Sequence, residues 1–348
     1  MSTPNPTEDF KSTPPVSSKT FHVAGILATV YGLDELPNDC KSISCLWLLH
    51  GRLQRAEVMA NVAYTCLHDW HQRVSSDHSK VGFIAVAFDQ RNHGTREVYS
   101  LANKSWKEGN DNHAQDMYSV LHGTATDVSL LIDHLGSYIF HGPNAPSIDQ
   151  HMVLGISLGG HAAWQIFFSE PRVTAVVVII GCPDYMHLMN DRAQRSKVDL
   201  KKDSQNADEF LGSTFFPNAL VESMQKNDPR GIVFGTSDII TSPTADTSPS
   251  QAQIRAIFDQ RIRNKKILIC SGGADRLVPY RSAEQFLNFF KEATAENGWY
   301  KDGNVYVEDN VYEGIGHAYS EEMVKDTTRF LSDILAGGSG AGSLSAKM

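Results

Sequence analysis

The chain has 348 residues, 41% of them hydrophobic and 20% charged, with a formal net charge of -9. That length buries a substantial core without staples, and an acidic balance with no Lys/Arg run excludes a general nucleic-acid surface. Five scattered cysteines without a CxxC pair read as reduced thiols, and no window reaches the ~18 apolar residues that span a membrane.

Residues 1–20 are rich in Ser, Thr and Pro, lack the apolar segment of a secretory signal, and read as a disordered arm. "FHVAGILATVYG" (21–32) supplies one or two opening strands. "CLWLLH" (45–50), "VGFIAVAFD" (81–89), "HMVLGIS" (151–157), "VTAVVVIIG" (173–181) and "KKILICSGG" (265–273) follow as strands. Several are apolar on consecutive positions, the pattern of strands covered on both faces. "VYVEDNVYEG" (305–314) fits a last strand nearer the edge.

Helical stripes lie between them. Val58, Met59, Val62, Ala63 and Trp70 make one; Val128, Leu131, Ile132 and Leu135 make another, with Thr126 as its cap and Asp127 in its first turn. A last helix opens at Ser320 with two glutamates and closes at glycines. Strands alternating with helices predict a mostly parallel α/β sheet. The alternation breaks between 182 and 264, where no clear strand occurs, and a plain crossover needs far fewer residues. The division expected is therefore a core of 21–181 and 265–336, a helical lid at 182–264, and a flexible Gly/Ser tail at 337–348.

"VLGISLGGH" (153–161) places Gly155 and Gly159 around Ser157 between an apolar run and a helical pattern. A serine hydroxyl is a weak nucleophile until a base takes its proton. A tight strand-to-helix turn exposes it, needs small residues two before and two after, and aims the helix N-terminus at developing negative charge. The acid and the base should follow in chain order. Asp275 in "SGGADRLVPY" sits in a loop after the strand "KKILIC", and His317 in "YEGIGHAYSEE" sits between the last strand and the last helix. His317 then accepts the serine proton and Asp275 orients the imidazole. Asp184 in "GCPDY", after the preceding strand, is the rival acid. For the oxyanion hole, one amide comes from Leu158 and the second from the loop after "WLLHG", with Arg52 the first choice and Leu53 next.

These motifs ("HG" at 50–51, "DQRNHG" at 89–94, "GISLGG", "GADRLVP" and "GIGH") resemble the α/β-hydrolase superfamily over about residues 45–335. The nearest branch is the prolyl-oligopeptidase-like and dienelactone-hydrolase-like group of small single-domain serine hydrolases. The resemblance implies an eight-stranded sheet with helices on both faces, a lid after the sixth strand, and the triad Ser157, Asp275 and His317. It also implies that Asp89, Arg91 and His93 brace the loop beside the site.

The reaction expected is hydrolysis of carboxylic esters of small to medium apolar molecules. Thioesterase, small peptidase or amidase, and acyl transferase are alternatives with the same triad; a lyase or a non-catalytic ligand-binding relative is the alternative of another class. Gly51, Leu53, Tyr185 and Met186 are candidate substrate contacts, with the lid aromatics and methionines either lining an apolar pocket or packing the lid itself. Charges are interspersed along the lid, so no dedicated charge selector stands out. No phosphate loop, dinucleotide fingerprint or HExxH pattern is present, and His68, His71 and His78 read as a solvated helix, so no cofactor or metal is expected. The expected location is cytoplasmic, or peroxisomal if the small-basic-aliphatic end, Ala346-Lys347-Met348, engages an import receptor.

Overall fold

The computed structural model describes residues 5–8, 10–73, 81–200 and 209–337. His78, part of the 182–264 segment and the C-terminal tripeptide Ala346-Lys347-Met348 lie outside the described residues.

Eight strands form one sheet in the order β1-β2-β4-β3-β5-β6-β7-β8. β1 (Ser18–Val23) and β2 (Ile26–Tyr31) make an antiparallel hairpin, and β2 pairs antiparallel with β4 (Gly82–Phe88). From β4 onward every pairing is parallel, through β3 (Ser42–Leu49), β5 (Ser147–Ile156), β6 (Val173–Ile179), β7 (Lys266–Gly272) and β8 (Tyr306–Tyr312). The consecutive apolar runs mark the central strands: all of β4, and β3 after its first residue, are buried. β8, at the edge, is only partly buried along its length. Parallel strands hidden on both faces need helices on both, and that is where the rest of the chain goes.

One face is covered by α1 (Ala60–Arg73) and α9 (Glu321–Gly337), through Val62, Leu67, Trp70, Phe330 and Leu331. The other carries α2 (His113–Ile139), α3 (Leu158–Ser169) and α8 (Arg281–Thr294). There Trp164, Phe167, Phe168, Phe286 and Phe290 pack mostly edge to face, the geometry aromatic quadrupoles favour.

The structure departs from the sequence expectation in two places. α2 is a single helix of 27 residues, so Thr126 is not a cap. It lies mid-helix with its hydroxyl donating to the His122 carbonyl at 3.0 Å, which satisfies the side chain without ending the helix. The segment read as a disordered arm makes specific contacts: Thr13 N–H donates to Asn61 Oδ1 at 2.8 Å, and Tyr319 N–H donates to the Pro6 carbonyl at 2.7 Å.

Between β6 and β7 the chain leaves the sheet for α4 (Tyr185–Ser196), α5 (Asn218–Asn227), α6 (Pro229–Phe234) and α7 (Gln251–Arg261). Phe210, Phe215, Phe216, Leu220 and Met224 are buried and belong to the same apolar cluster as α2 and α3. The excursion is thus seated on the core.

Candidate active site

All the catalytic candidates leave the C-terminal ends of parallel strands, where an open α/β sheet gathers its loops. Ser157 follows β5 immediately and has φ 55° and ψ -110°, a strained conformation for a residue with a side chain. Three backbone hydrogen bonds hold it there: Ser157 N–H to the Ile179 carbonyl (2.9 Å), Gly159 N–H to the His50 carbonyl (3.1 Å), and His161 N–H to the Ser157 carbonyl (3.0 Å). The flanking glycines are required by contact. A Cβ on Gly155 would lie 2.0 Å from the Gly159 carbonyl oxygen, and one on Gly159 would lie 2.2 Å from that of Leu49. Gly160 lets α3 approach β6, since its Cβ would meet the Ile179 oxygen at 2.8 Å.

The hydroxyl so presented meets the predicted partners. Ser157 Oγ is 2.8 Å from His317 Nε2, and His317 Nδ1 is 2.7 Å from Asp275 Oδ2. The second oxygen of Asp275 accepts two backbone N–H groups, from Leu277 at 2.8 Å and Val278 at 3.0 Å. The Asp275 side chain is fully buried and that of His317 is 4% exposed. A carboxylate fixed by its own loop thus fixes Nδ1 as the protonated nitrogen and leaves Nε2 to face the serine. The relay can carry the hydroxyl proton to Nε2 as Oγ attacks an electrophile.

Asp184, the rival acid, is elsewhere engaged. It caps α4 by accepting His187 N–H at 2.9 Å and lies 3.7 Å from Arg230 Nε. Burial holds its carboxyl above the usual range despite both partners.

The loop after β3 is built around a neutral histidine. Burial pulls His50 down to about 4. Its Nδ1–H donates to the Gly51 carbonyl at 2.8 Å, and its Nε2 accepts Gln90 N–H at 3.1 Å. Gly51 N–H is taken by Gln54 Oε1 at 2.9 Å, which leaves that amide unavailable to an oxyanion. Leu53 turns the loop with φ 65° and is 44% exposed. Across from it, Leu158 N–H occupies the first position of α3, where an amide has no intrahelical acceptor. Arg52, His93 and Leu158 line a small cavity of about 10 Å³ together with His113 and Met117. His93 Nε2 has no partner, while its Nδ1–H donates to the Arg91 carbonyl at 3.0 Å.

The "DQRNHG" segment is a brace. Asp89 accepts Ala56 N–H (2.8 Å) and both the N–H and the hydroxyl of Thr95 (2.7 Å each). Arg91 and Arg96 converge on the buried Asp127 at 2.9 and 2.8 Å.

Of the proposed substrate contacts, Tyr185 and Met186 are buried in the core, and the Tyr185 hydroxyl donates to the Ala114 carbonyl at 2.8 Å. Tyr185 packs the excursion onto α2, against the Tyr118 ring. The residue that sequence reading missed is Arg192, from the same helix. Its Nη2 donates to the Leu277 carbonyl, in the acid loop, at 3.2 Å, and its Nη1 donates to His113 Nε2 and Met117 Sδ, both at 3.2 Å. Burial, reinforced by the Arg52 guanidinium, lowers Arg192 to about 10. Its position on the inner face of α4, one turn beyond Leu188 and Met189, was the available signal. A cavity of about 390 Å³ opens on another side of α4, lined by Asn190, Val198 and Phe210, and no member of the relay lines it. Among the described residues no group of three His, Cys, Asp or Glu side chains is placed to hold a metal ion, and no helix is long and apolar enough to cross a membrane.

Sheet order, crossovers and elbow define the α/β-hydrolase fold. Solved structures bear this out. TT1662 from Thermus thermophilus superposes with a TM-score of 0.54 at 19% identity, covering 92% of this chain and 99% of that one. A putative dipeptidyl aminopeptidase IV from Bacteroides ovatus gives a TM-score of 0.50 at 12% identity, and this chain covers 36% of it. A puromycin-hydrolyzing peptidase of Mycobacterium tuberculosis gives 0.50 at 12%, with 40% of it covered. In both peptidases 94% of the present chain is matched. No protein-family model and no curated protein matches the sequence.

Proposed function

We propose that the chain is a serine hydrolase that cleaves carboxylic esters of small to medium apolar molecules. The observation that carries this reading is the unbroken relay from Ser157 Oγ through His317 to the buried Asp275, at 2.8 and 2.7 Å. It is set at a strained turn that no ordinary loop has reason to maintain. Ser157 attacks the carbonyl carbon, and His317 Nε2 takes the hydroxyl proton. The amides of Leu158 and Arg52 receive the oxyanion. His317 returns the proton to the departing alkoxide, leaving an acyl-enzyme, and water activated by the same imidazole releases the acid. In this reading the helices α4 to α7 between β6 and β7 serve as a lid over the site.

Thioester, amide and acyl-transfer chemistry would use the same groups, so the test must read substrate as well as serine. We expect turnover of a p-nitrophenyl ester series, acetate to decanoate, with an optimum chain length, and loss of about 10³-fold or more in kcat for Ser157→Ala. A fluorophosphonate should label the wild type and spare the variant. Equal inactivity of both on every ester, with no labelling, would sink the hydrolase reading.

A further inference from the structure

The amino-terminal arm makes contacts that the relay does not explain. It is anchored on the helices of one face of the sheet. Asn61 accepts Thr13 N–H at 2.8 Å and donates to the Lys11 carbonyl at 2.6 Å, Thr13 Oγ1 meets Thr65 Oγ1 at 2.7 Å, and Lys11 pairs with Glu321 at 2.9 Å. From these anchors on α1 and at the start of α9, the chain reaches across to two loops of the site at once.

The first is the loop after β3. Gln54 accepts Gly51 N–H through Oε1, and its amide nitrogen donates to Asn5 Oδ1 and, at 3.4 Å, to Thr7 Oγ1. Thr7 N–H and its hydroxyl in turn donate to Asn5 Oδ1 at 3.1 and 2.9 Å. The Pro6 ring is buried and lies 3.5 Å from the place a Cβ on Gly51 would take. The second is the histidine loop. Tyr319, two residues past His317, donates its N–H to the Pro6 carbonyl at 2.7 Å, and Phe10 packs on the Tyr319 ring at 5.3 Å. One residue, Pro6, therefore sets its ring beside Gly51 of the oxyanion loop and bonds the histidine loop through its carbonyl.

We propose that Asn5, Pro6 and Thr7 form a strap that holds the oxyanion loop and the histidine loop in register, making the arm a positioning element of the catalytic site. The inference rests on the serine-hydrolase reading and says what keeps two of its parts aligned. Gln54 is the lever. An amide held on one side by the arm and on the other by Gly51 fixes the turn through Arg52 and Leu53, where an oxyanion donor must be preset to be effective. Without the arm, Gln54 is solvated and Tyr319 N–H loses its acceptor. Both loops then sample positions that misplace their donors. Few apolar groups are buried by the strap itself, so its loss should act on the chemistry more than on the fold.

The test compares three forms: the full chain, a chain lacking residues 1–8, which keeps Phe10 on Tyr319, and an Asn5→Ala/Thr7→Val double variant that keeps the Pro6 carbonyl. On the best ester of the p-nitrophenyl series we expect kcat to fall about 10- to 100-fold in the truncated chain. A smaller fall is expected in the double variant, KM should stay within about twofold in both, and fluorophosphonate labelling of Ser157 should slow in parallel with kcat. Thermal unfolding checks that each form is folded; if the truncated chain is not, the double variant decides. Unchanged kcat in a folded strapless chain overturns the proposal. So does a gain in turnover, which would make the arm an obstruction. Absence of turnover and labelling in the full chain would instead refute the hydrolase reading on which the strap depends.

Discussion

Asp184 and Asp275 leave the ends of adjacent parallel strands, β6 and β7, and both are almost completely buried. In sequence each is an aspartate in a short loop after an apolar run, four or fewer residues past a glycine. Their surroundings differ. Asp275 gives one oxygen to two amides of its own loop and the other to His317. Asp184 gives one oxygen to the N-terminus of α4 and turns the other toward Arg230. The first is fixed so that it can orient an imidazole. The second is spent on starting the helix that carries the chain out of the sheet. The comparison teaches that a carboxylate at a strand end comes to orient a histidine through the direction its loop gives it, while burial is common to both.

The most damaging test of that contrast is Asp275→Asn. The isosteric amide can keep the bonds from Leu277 and Val278 and favours the wrong imidazole tautomer, with the proton on Nε2 facing the serine. We expect a loss of about 10⁴-fold in kcat at neutral pH with little change in thermal stability, the magnitude such a change has at other triads. Retention of activity within tenfold would show that the acid has been assigned to the wrong region.

Arg192 joins the two regions, and its removal should give an intermediate effect. It stands on α4, whose first turn Asp184 caps, and holds the Leu277 carbonyl beside Asp275. Arg192→Met keeps an unbranched stem and deletes the fork, so the Leu277 carbonyl loses its donor while Arg195 still holds the neighbouring Arg276 carbonyl. A fall in kcat of about tenfold is expected, the worth of one hydrogen bond from a charged donor, with partial recovery in Arg192→Lys. A change in KM alone would make Arg192 a substrate contact.

The same comparison shows what could be read in the sequence. Ser157 and the elbow glycines are legible because the turn itself dictates their spacing, and His317 because it is the histidine of the Gly-rich loop between the last strand and the last helix. Choosing between Asp184 and Asp275 was not settled by sequence, since both follow strands and only the loop's path decides which one faces the imidazole. Arg192 was hidden for a different reason. Lys, Arg and Asp are interspersed along 191–203, and only the helical turn of α4 separates the inward-pointing Arg192 guanidinium from its neighbours. The arm's contacts are not legible because composition reports only missing apolar burial, whereas Asn5, Thr7 and Thr13 are held by polar bonds to positions that are distant in sequence. For Tyr185 and Met186, both buried, the sequence offers no choice between substrate and core, because an apolar stripe looks the same whether it faces a ligand or its own core.

Asp184→Asn should give the smallest effect and the most informative sign. An asparagine caps a helix about as well as an aspartate, and Arg230 keeps the Gly235 and Ser237 carbonyls as acceptors. We therefore expect kcat within about twofold of wild type. Stability should respond through pH. Burial raises the Asp184 carboxyl above its ordinary value of 3.8, against the lowering effect of His187 N–H and Arg230. A carboxyl whose native pKa exceeds its unfolded one binds its proton more tightly in the folded chain. Its contribution is then most favourable below 3.8 and is lost as pH rises through the raised value. The variant has no such proton to lose. Relative to wild type, its Tm should rise across that window and level off above it. A relative Tm that falls as pH rises would mean that Arg230 holds the native carboxylate charged and that the Asp184 side of the comparison is an ion pair. A loss of 10³-fold in kcat would move the catalytic acid from β7 to β6.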